Sequence, residues 1–427
     1  METKKHLARG QNVHKLFDAY GEYIPGFFLI RIDKELYEGI GWENFEKEEI
    51  ATLAHEYTHY LQDISTTRGI NNFSYLSKIL QLNFADAYGK SEIELPINIE
   101  KVADKEAYIE SELQLFYQGN NEHKKIHHVN KIVREEDEII NLVLEDKNKL
   151  YAINLYYDDK EIPYTIGNDA IAESMAYVIE KNGFGASPRK NEFPYNICEL
   201  VCEEYCEWIL KKPNILVAIC ELALMHYHSG DMFWHIVKEI AEEKLFFTTV
   251  AEFEEYFLER TEFLYGNMKN DFGEVKDCLD FLYPSAAPLL EEINRKLGNM
   301  IFRGYEYRDK NKLFIAKILE STLPIQVMTF WMNYFGIPII VDKKQNIYAG
   351  DDLAIMVGPF AMYNFFMQRS GNDCGLTALC YSQKIPNFKK DICNNSPWKQ
   401  SEKKQLCIFG MYWHMYSLGG KTVRRKE

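Results

Sequence analysis

His55-Glu56-Tyr57-Thr58-His59, inside a helical run from about Phe45 to Ser65, is the stretch on which the reading of this chain turns. Two histidines four residues apart project from one side of a helix, so both imidazoles can reach one metal ion. The glutamate between them stands beside that ion, placed to take a proton from a water on it. At about 100° per residue with His55 at zero, His59 falls near 40°, whereas Ile50, Leu53, Tyr57, Leu61 and Ile64 cluster between roughly 160° and 240°. The histidines therefore face away from the apolar stripe. A surface helix with two accidental solvated histidines would explain neither Glu56 nor the apolar residues opposite. Asn44 is placed to cap this helix, and Phe27 to Ile32 before it is β-rich and reads as a strand.

A catalytic zinc needs a third protein ligand and an open position. A metzincin would continue with glycine at position 62 and histidine at 65, where Gln62 and Ser65 stand, and a peptide deformylase would carry a cysteine upstream, whereas none precedes Cys198. A second helix opens at Gly167 and Asn168 and runs through Glu180. On it Glu173, Tyr177 and Glu180 share one face and Ile171, Met175 and Val178 the other. With Glu173-Ser174-Met175-Ala176 matching an E-x-x-A signature, the chain resembles the gluzincin type of zincin metallopeptidase over roughly its first 185 residues.

That resemblance implies Glu173 as third ligand, with Glu180 or Asp169 as alternatives, and Ala176 small enough to let the two helices approach. Many gluzincins carry an aspartate four residues after the third ligand to orient the first histidine. Tyr177 stands there, leaving Asp63 and Asp169 as substitutes. The G-x-M-E-N stretch of the aminopeptidases is missing, so the resemblance implies an endopeptidase with a peptide or protein substrate. Its mechanism would be metal-assisted amide hydrolysis, with Glu56 accepting a proton and returning it to the leaving amine. An oxyanion donor is expected from the helical half, with His226 the first candidate beside Tyr227 and His228. An ordinary helix-end role fits these residues equally well. The strand Phe27 to Ile32 would lie at the cleft edge and pair with substrate, or else lie inside the sheet.

The 427 residues carry 64 acidic against 49 basic side chains, a net charge of −15, which disfavours nucleic acid. The basic stretches at Lys124 and Lys125 and at Lys421, Arg424, Arg425 and Lys426 read as solvated loop and tail. Met1 to Gln11 shows no apolar core followed by small residues, which predicts no secretory signal. Leu323 to Val341 is interrupted by Gln326, Asn333 and Pro338, which predicts no membrane span. Nine cysteines, none before Cys198, fit a reduced cytoplasmic chain. Such a protease, without visible propeptide or tether, would act on a narrow substrate, with a regulatory partner or signal to limit it.

The expected fold is α+β. Residues 1–185 form a zincin-like half with a small sheet and the motif helix, residues 186–345 a helical portion completing the cleft, and residues 346–427 a loop-rich, cysteine-containing segment. Helices are expected over Val102 to Tyr117 and Lys131 to Asp146, and over a run to about Asn311 broken at Pro213, Gly230, Pro284 and Gly298. Hairpins are expected around Asp158-Asp159-Lys160 and over Ile339 to Tyr348. Cys198, Cys202 and Cys206 form one buried stripe. Cys374, Cys380, Cys393 and Cys407 could hold a second, structural zinc, although no tight C-x-x-C occurs. His123, His127 and His128 are expected to face solvent. The rival to an enzyme is a non-catalytic interaction protein with a structural or vestigial zinc site.

Overall fold

A computed structural model of the chain describes residues 21–33, 35, 45–97, 105–138, 140, 149–189, 192–284, 288–348, 357–367, 374–377, 380, 388–402 and 407–425. Asn44, the Met1 to Gln11 stretch and Lys426 lie outside them. Strands β1 (Gly21–Ile24) and β2 (Leu29–Ile32) form an antiparallel pair, closed by a turn in which Gly26 takes a φ of 71°. The motif helix α1 (Lys47–Ser65) starts behind a reciprocal cap, the Glu46 and Glu49 side chains each accepting the other's backbone N–H. It stops where Thr66 turns extended and its hydroxyl accepts the Gly69 N–H, starting α2 (Thr67–Tyr88) at once.

Helix α3 (Lys105–Gln118) is followed by a three-stranded sheet of β3 (Val129–Glu136), β4 (Tyr151–Tyr157) and β5 (Tyr164–Ile166). Here the helix expected over Lys131 to Asp146 is overturned from Lys131 to Glu136, which are strand, whereas Glu138 and Ile140 are helical. Pairing of β3 with β4 along its whole length, from Val129 opposite Tyr157 to Glu136 opposite Tyr151, overrides the helical spacing of its charges. Positions 141–148 lie outside the described residues. The Asp158-Asp159 turn joins β4 to β5 as expected, both residues adopting positive φ. Helix α4 (Asn168–Gly183) begins directly after β5.

The helical layer follows, including α5 (Pro213–Leu224) and α6 (Pro288–Lys310), the latter running unbroken through Gly298. A Cβ on Gly304 of α6 would lie 2.4 Å from the Ile64 carbonyl, so this glycine lets α6 lie hard against α1. The fully buried Arg308 donates to Glu221 of α5 at 2.8 Å and to Ser65 at 2.9 Å. The Glu221 carboxylate also accepts the Ile315 and Ala316 N–H groups. This knot locks the end of the motif helix to the helical layer.

Strand β6 (Ile339–Val341) pairs parallel to β2 and antiparallel to β7 (Ile347–Tyr348), giving a sheet in the order β1, β2, β6, β7. Helix α7 (Val357–Met367) packs beside the β1–β2 turn, with Phe360 against Phe27. Residues Thr422–Arg425 pair parallel with Glu92–Leu95. Pairings thus cross the borders drawn at 185 and 345, and one continuous core runs from Tyr23 to Leu418. The architecture is mixed α+β and mainly helical. No described helix is long and apolar enough to cross a membrane.

Candidate metal centre

Helices α1 and α4 pack together with their polar faces inward. His55, Glu56 and His59 are each about 5 to 6% exposed, so the face opposite the apolar stripe is itself buried, against α4. Along the two helices His55 meets Glu173 and Glu180, His59 meets Glu173, Gln62 meets the carbonyl of Ala172, and Arg68 beyond the helix end meets Asp169. The helices therefore run antiparallel, with Glu173 set between the two imidazoles.

The distances suit one small cation. Nε2 of His55 lies 3.2 Å from Nε2 of His59 and 3.2 Å from Oε2 of Glu173, and Nε2 of His59 lies 3.4 Å from Oε1 of Glu173. Ligands held at about 2.0–2.1 Å around a tetrahedral zinc are themselves about 3.3–3.4 Å apart. Among the described residues this is the one group of three or more His, Cys, Asp or Glu side chains whose ligand atoms converge so closely.

The surrounding hydrogen bonds leave both Nε2 atoms as lone pairs. Nδ1 of His55 is 3.0 Å from Oε2 of Glu180, and an ionised carboxylate only accepts, so Nδ1 carries the hydrogen. Nδ1 of His59 is 2.9 Å from Oε1 of Gln62, whose amide nitrogen donates to the Ala172 carbonyl at 3.1 Å, which turns the amide oxygen towards His59. Two lone pairs and a carboxylate then face one another at contact distance, an arrangement that calls for a cation between them. Without metal a proton takes that role. Burial pulls the His55 pKa down, but the hydrogen bonds to Glu173 and Glu180 outweigh it and raise it to about 10. Burial also works against the Glu173 carboxylate, yet the two imidazoles hold it well below the usual range.

Glu56 stands beside the cluster. Burial lifts its carboxyl to about 7, against the pull of His55 and His59, a value suited to exchanging protons near neutrality. Strand β1 presses on it closely: a Cβ on Gly21 would sit 2.8 Å from Thr52 Cγ2 and 3.0 Å from Glu56 Oε1. The Glu173 side chain is 31% exposed while those of His55 and His59 are 7% and 6%, so the cluster opens on the Glu173 side. It opens into a cleft of about 260 Å³, with His55, Glu56, Glu173, Tyr23, His123 and Tyr195 among the residues that line it.

Of the expected residues, His55, Glu56, His59 and Glu173 come together. Asp63 and Asp169 do not touch the imidazoles. Asp63 accepts from the Tyr23 hydroxyl at 3.0 Å and the Gly26 N–H at 2.7 Å, while Asp169 pairs with Arg68. Glu180 orients His55, seven residues and two helical turns after Glu173, where the Tyr177 departure had left that role open. His226 is not brought to the cleft. Its Nδ1 accepts the His228 N–H at 3.1 Å in the turn between two helices, and His228 caps the helix that follows. His123, His127 and His128 are exposed, as expected, and His123 also lines the cleft beside Tyr195, at 5.1 Å between rings, with Tyr195 5.9 Å from the His55 ring.

Of the two places expected for this strand it takes the internal one: β2 lies between β1 and β6, and β1 is at one edge of the described sheet with β7 at the other. Sequence reading missed Tyr23, which stacks on His59 at 6.1 Å between rings, and the α2 face carrying Arg68 and Asn72. The run Arg68, Asn72, Tyr75, Leu76 at helical spacing was the available signal. Cys198 and Cys202 are buried on their helix and Cys206 is buried at its C-cap, as expected. No three of the described thiols of Cys374, Cys380, Cys393 and Cys407 converge to the spacing of the histidine cluster. No protein family model matches the chain, and no curated protein or solved structure matches it.

Proposed function

We propose that the protein is a zinc-dependent endopeptidase acting on a narrow protein or peptide substrate, with a regulatory partner limiting it in the cytoplasm. The observation that supports this most is the meeting of two imidazole lone pairs and one carboxylate, spaced for a tetrahedral ion, at the mouth of an open cleft. His55, His59 and Glu173 would hold the zinc, which when bound supplies Lewis acidity toward a carbonyl and lowers the pKa of water.

The chain's own groups do the rest. Glu180 and Gln62 fix the imidazole tautomers. Glu56, buried beside the cluster, accepts a proton from the attacking water and passes it to the leaving amine. Tyr195 and His123, which flank the cluster, replace His226 as candidates to donate a hydrogen bond to the developing oxyanion. Strand β1, running along the cleft from Gly21 to Ile24, is placed to align an extended peptide by strand addition.

The purified full chain should contain one zinc per molecule, lost in His55→Ala and Glu173→Ala. Glu56→Gln should retain the metal and lose peptide cleavage by about 10²-fold or more. Undiminished cleavage by Glu56→Gln, or a full zinc complement in Glu173→Ala, would overturn the assignment. Free digestion of unstructured casein would overturn the narrow substrate.

A further inference from the structure

The cleft does not end at the metal cluster. It continues past Arg68 along the α2 face of Arg68, Asn72 and Tyr75 to a compartment walled by Leu76 of α2, Phe27 of the β1–β2 turn, and Phe360 and Tyr363 of α7. Phe27 packs edge-on against Phe360 at 5.3 Å and tilts against Tyr363 at 5.6 Å, so these rings form one rigid surface. Two of the polar groups on the α2 side are engaged with α3. The Tyr75 hydroxyl shares a hydrogen bond with Ser111 Oγ at 2.9 Å, and Asn72 Oδ1 accepts from Gln114 at 2.9 Å. The side chains of Phe27, Leu76 and Phe360 present only carbon to the space, and Asn364 of α7 lines it as well.

Arg68 guards the passage. It is 4% exposed, bonded to Asp169 at 2.9 Å and 3.6 Å from Asp63, and its Nε has no hydrogen-bond partner. A cationic side chain would have to pass this guanidinium to reach the compartment, and its loss of water there works against it.

We propose that the compartment of Phe27, Leu76, Phe360 and Tyr363 is a specificity subsite for a large apolar side chain, aromatic or leucine-like, of the peptide held at the metal cluster. It rests on the peptidase reading and gives that reading a substrate class. The compartment is continuous with the cluster, its walls are apolar, and the whole cleft of about 260 Å³ admits roughly one large side chain with its backbone.

The test uses the full-length Glu56→Gln protein and fluorescently labelled, end-capped peptides Ala-Ala-X-Ala-Ala with X as Phe, Leu, Ala, Lys or Asp, bound at equilibrium and read by anisotropy. Phe and Leu should bind about 10-fold or more tightly than Ala, and Lys should bind weakest. Leu76→Ala, at a partly exposed position where folding is expected to survive, should erase most of the Phe over Ala preference and leave zinc content unchanged. Equal binding across the set, a preference for Asp that would point to Arg68, or no binding at all would overturn the subsite. Cleavage of the same peptides by the unmutated protein reports separately on hydrolysis. Cutting without preference for X sinks the subsite alone, and preferential binding without cutting sinks the peptidase reading alone.

Discussion

Removing the carboxylate of Glu180 should weaken metal binding although Glu180 touches no metal. Its Oε2 accepts the Nδ1 hydrogen of His55 at 3.0 Å and the side chain is 5% exposed, while its other oxygen is 3.6 Å from Arg189, a looser contact than the hydrogen bond to the imidazole. Glu180→Gln keeps an acceptor but turns a charge-assisted bond, worth about 1.5–3 kcal/mol, into a neutral one worth about 0.5–1.5 kcal/mol. The loss of about 1–1.5 kcal/mol corresponds to zinc affinity falling by roughly 10-fold. Glu180→Met removes the acceptor and leaves a buried N–H unsatisfied, which costs about 1–3 kcal/mol in all and brings the loss towards 100-fold. Competition against a chromophoric chelator at fixed pH measures both. Wild-type affinity in both variants would refute the reasoning. Abolished binding in Glu180→Met with full binding in Glu173→Ala would show that the two glutamates had exchanged roles.

Zinc affinity should rise with pH. In the metal-free protein His55 holds its proton up to about 10, and since the ion needs the lone pair, proton competition is fully present at pH 6 and eases towards 10. Affinity should gain up to about tenfold per pH unit between 6 and 8, with about one proton released from His55 per ion, and a flat titration would contradict this. Glu221→Leu strands Arg308, which is 0% exposed, and should destabilise the fold by about 3–5 kcal/mol, only part of it recovered in the double variant with Arg308→Met, since the Ile315 and Ala316 N–H groups lose their acceptor in both. Urea unfolding of the single and double variants decides it, and a single variant as stable as the parent would rule it out. Gly21→Ala puts a methyl group 2.8 Å from Thr52 and 3.0 Å from Glu56. It should slow cleavage on the order of 10-fold while leaving zinc content intact, and unchanged kinetics would show that Glu56 has room to yield.

The residues His55, Glu56 and His59 were legible because their chemistry and spacing belong to one helix, where a period of 3.6 residues settles which side chains share a face. Glu173 followed from a second short pattern of the same kind, and the Asp158-Asp159 hairpin from turn residues that accept positive φ. Local rules reach that far because they act within a few residues. They do not say that β6, more than 300 residues after β2, lies beside it, or that a run with helical charge spacing pairs instead as β3. They also do not place Glu180 on His55, Tyr195 beside the cluster, or α7 across the end of the cleft. The sequence by itself picked out the imidazole and carboxylate groups of the candidate site. The tertiary structure decided the tautomers, the donors and the shape of the cleft, because each depends on which buried groups meet across elements distant in the chain.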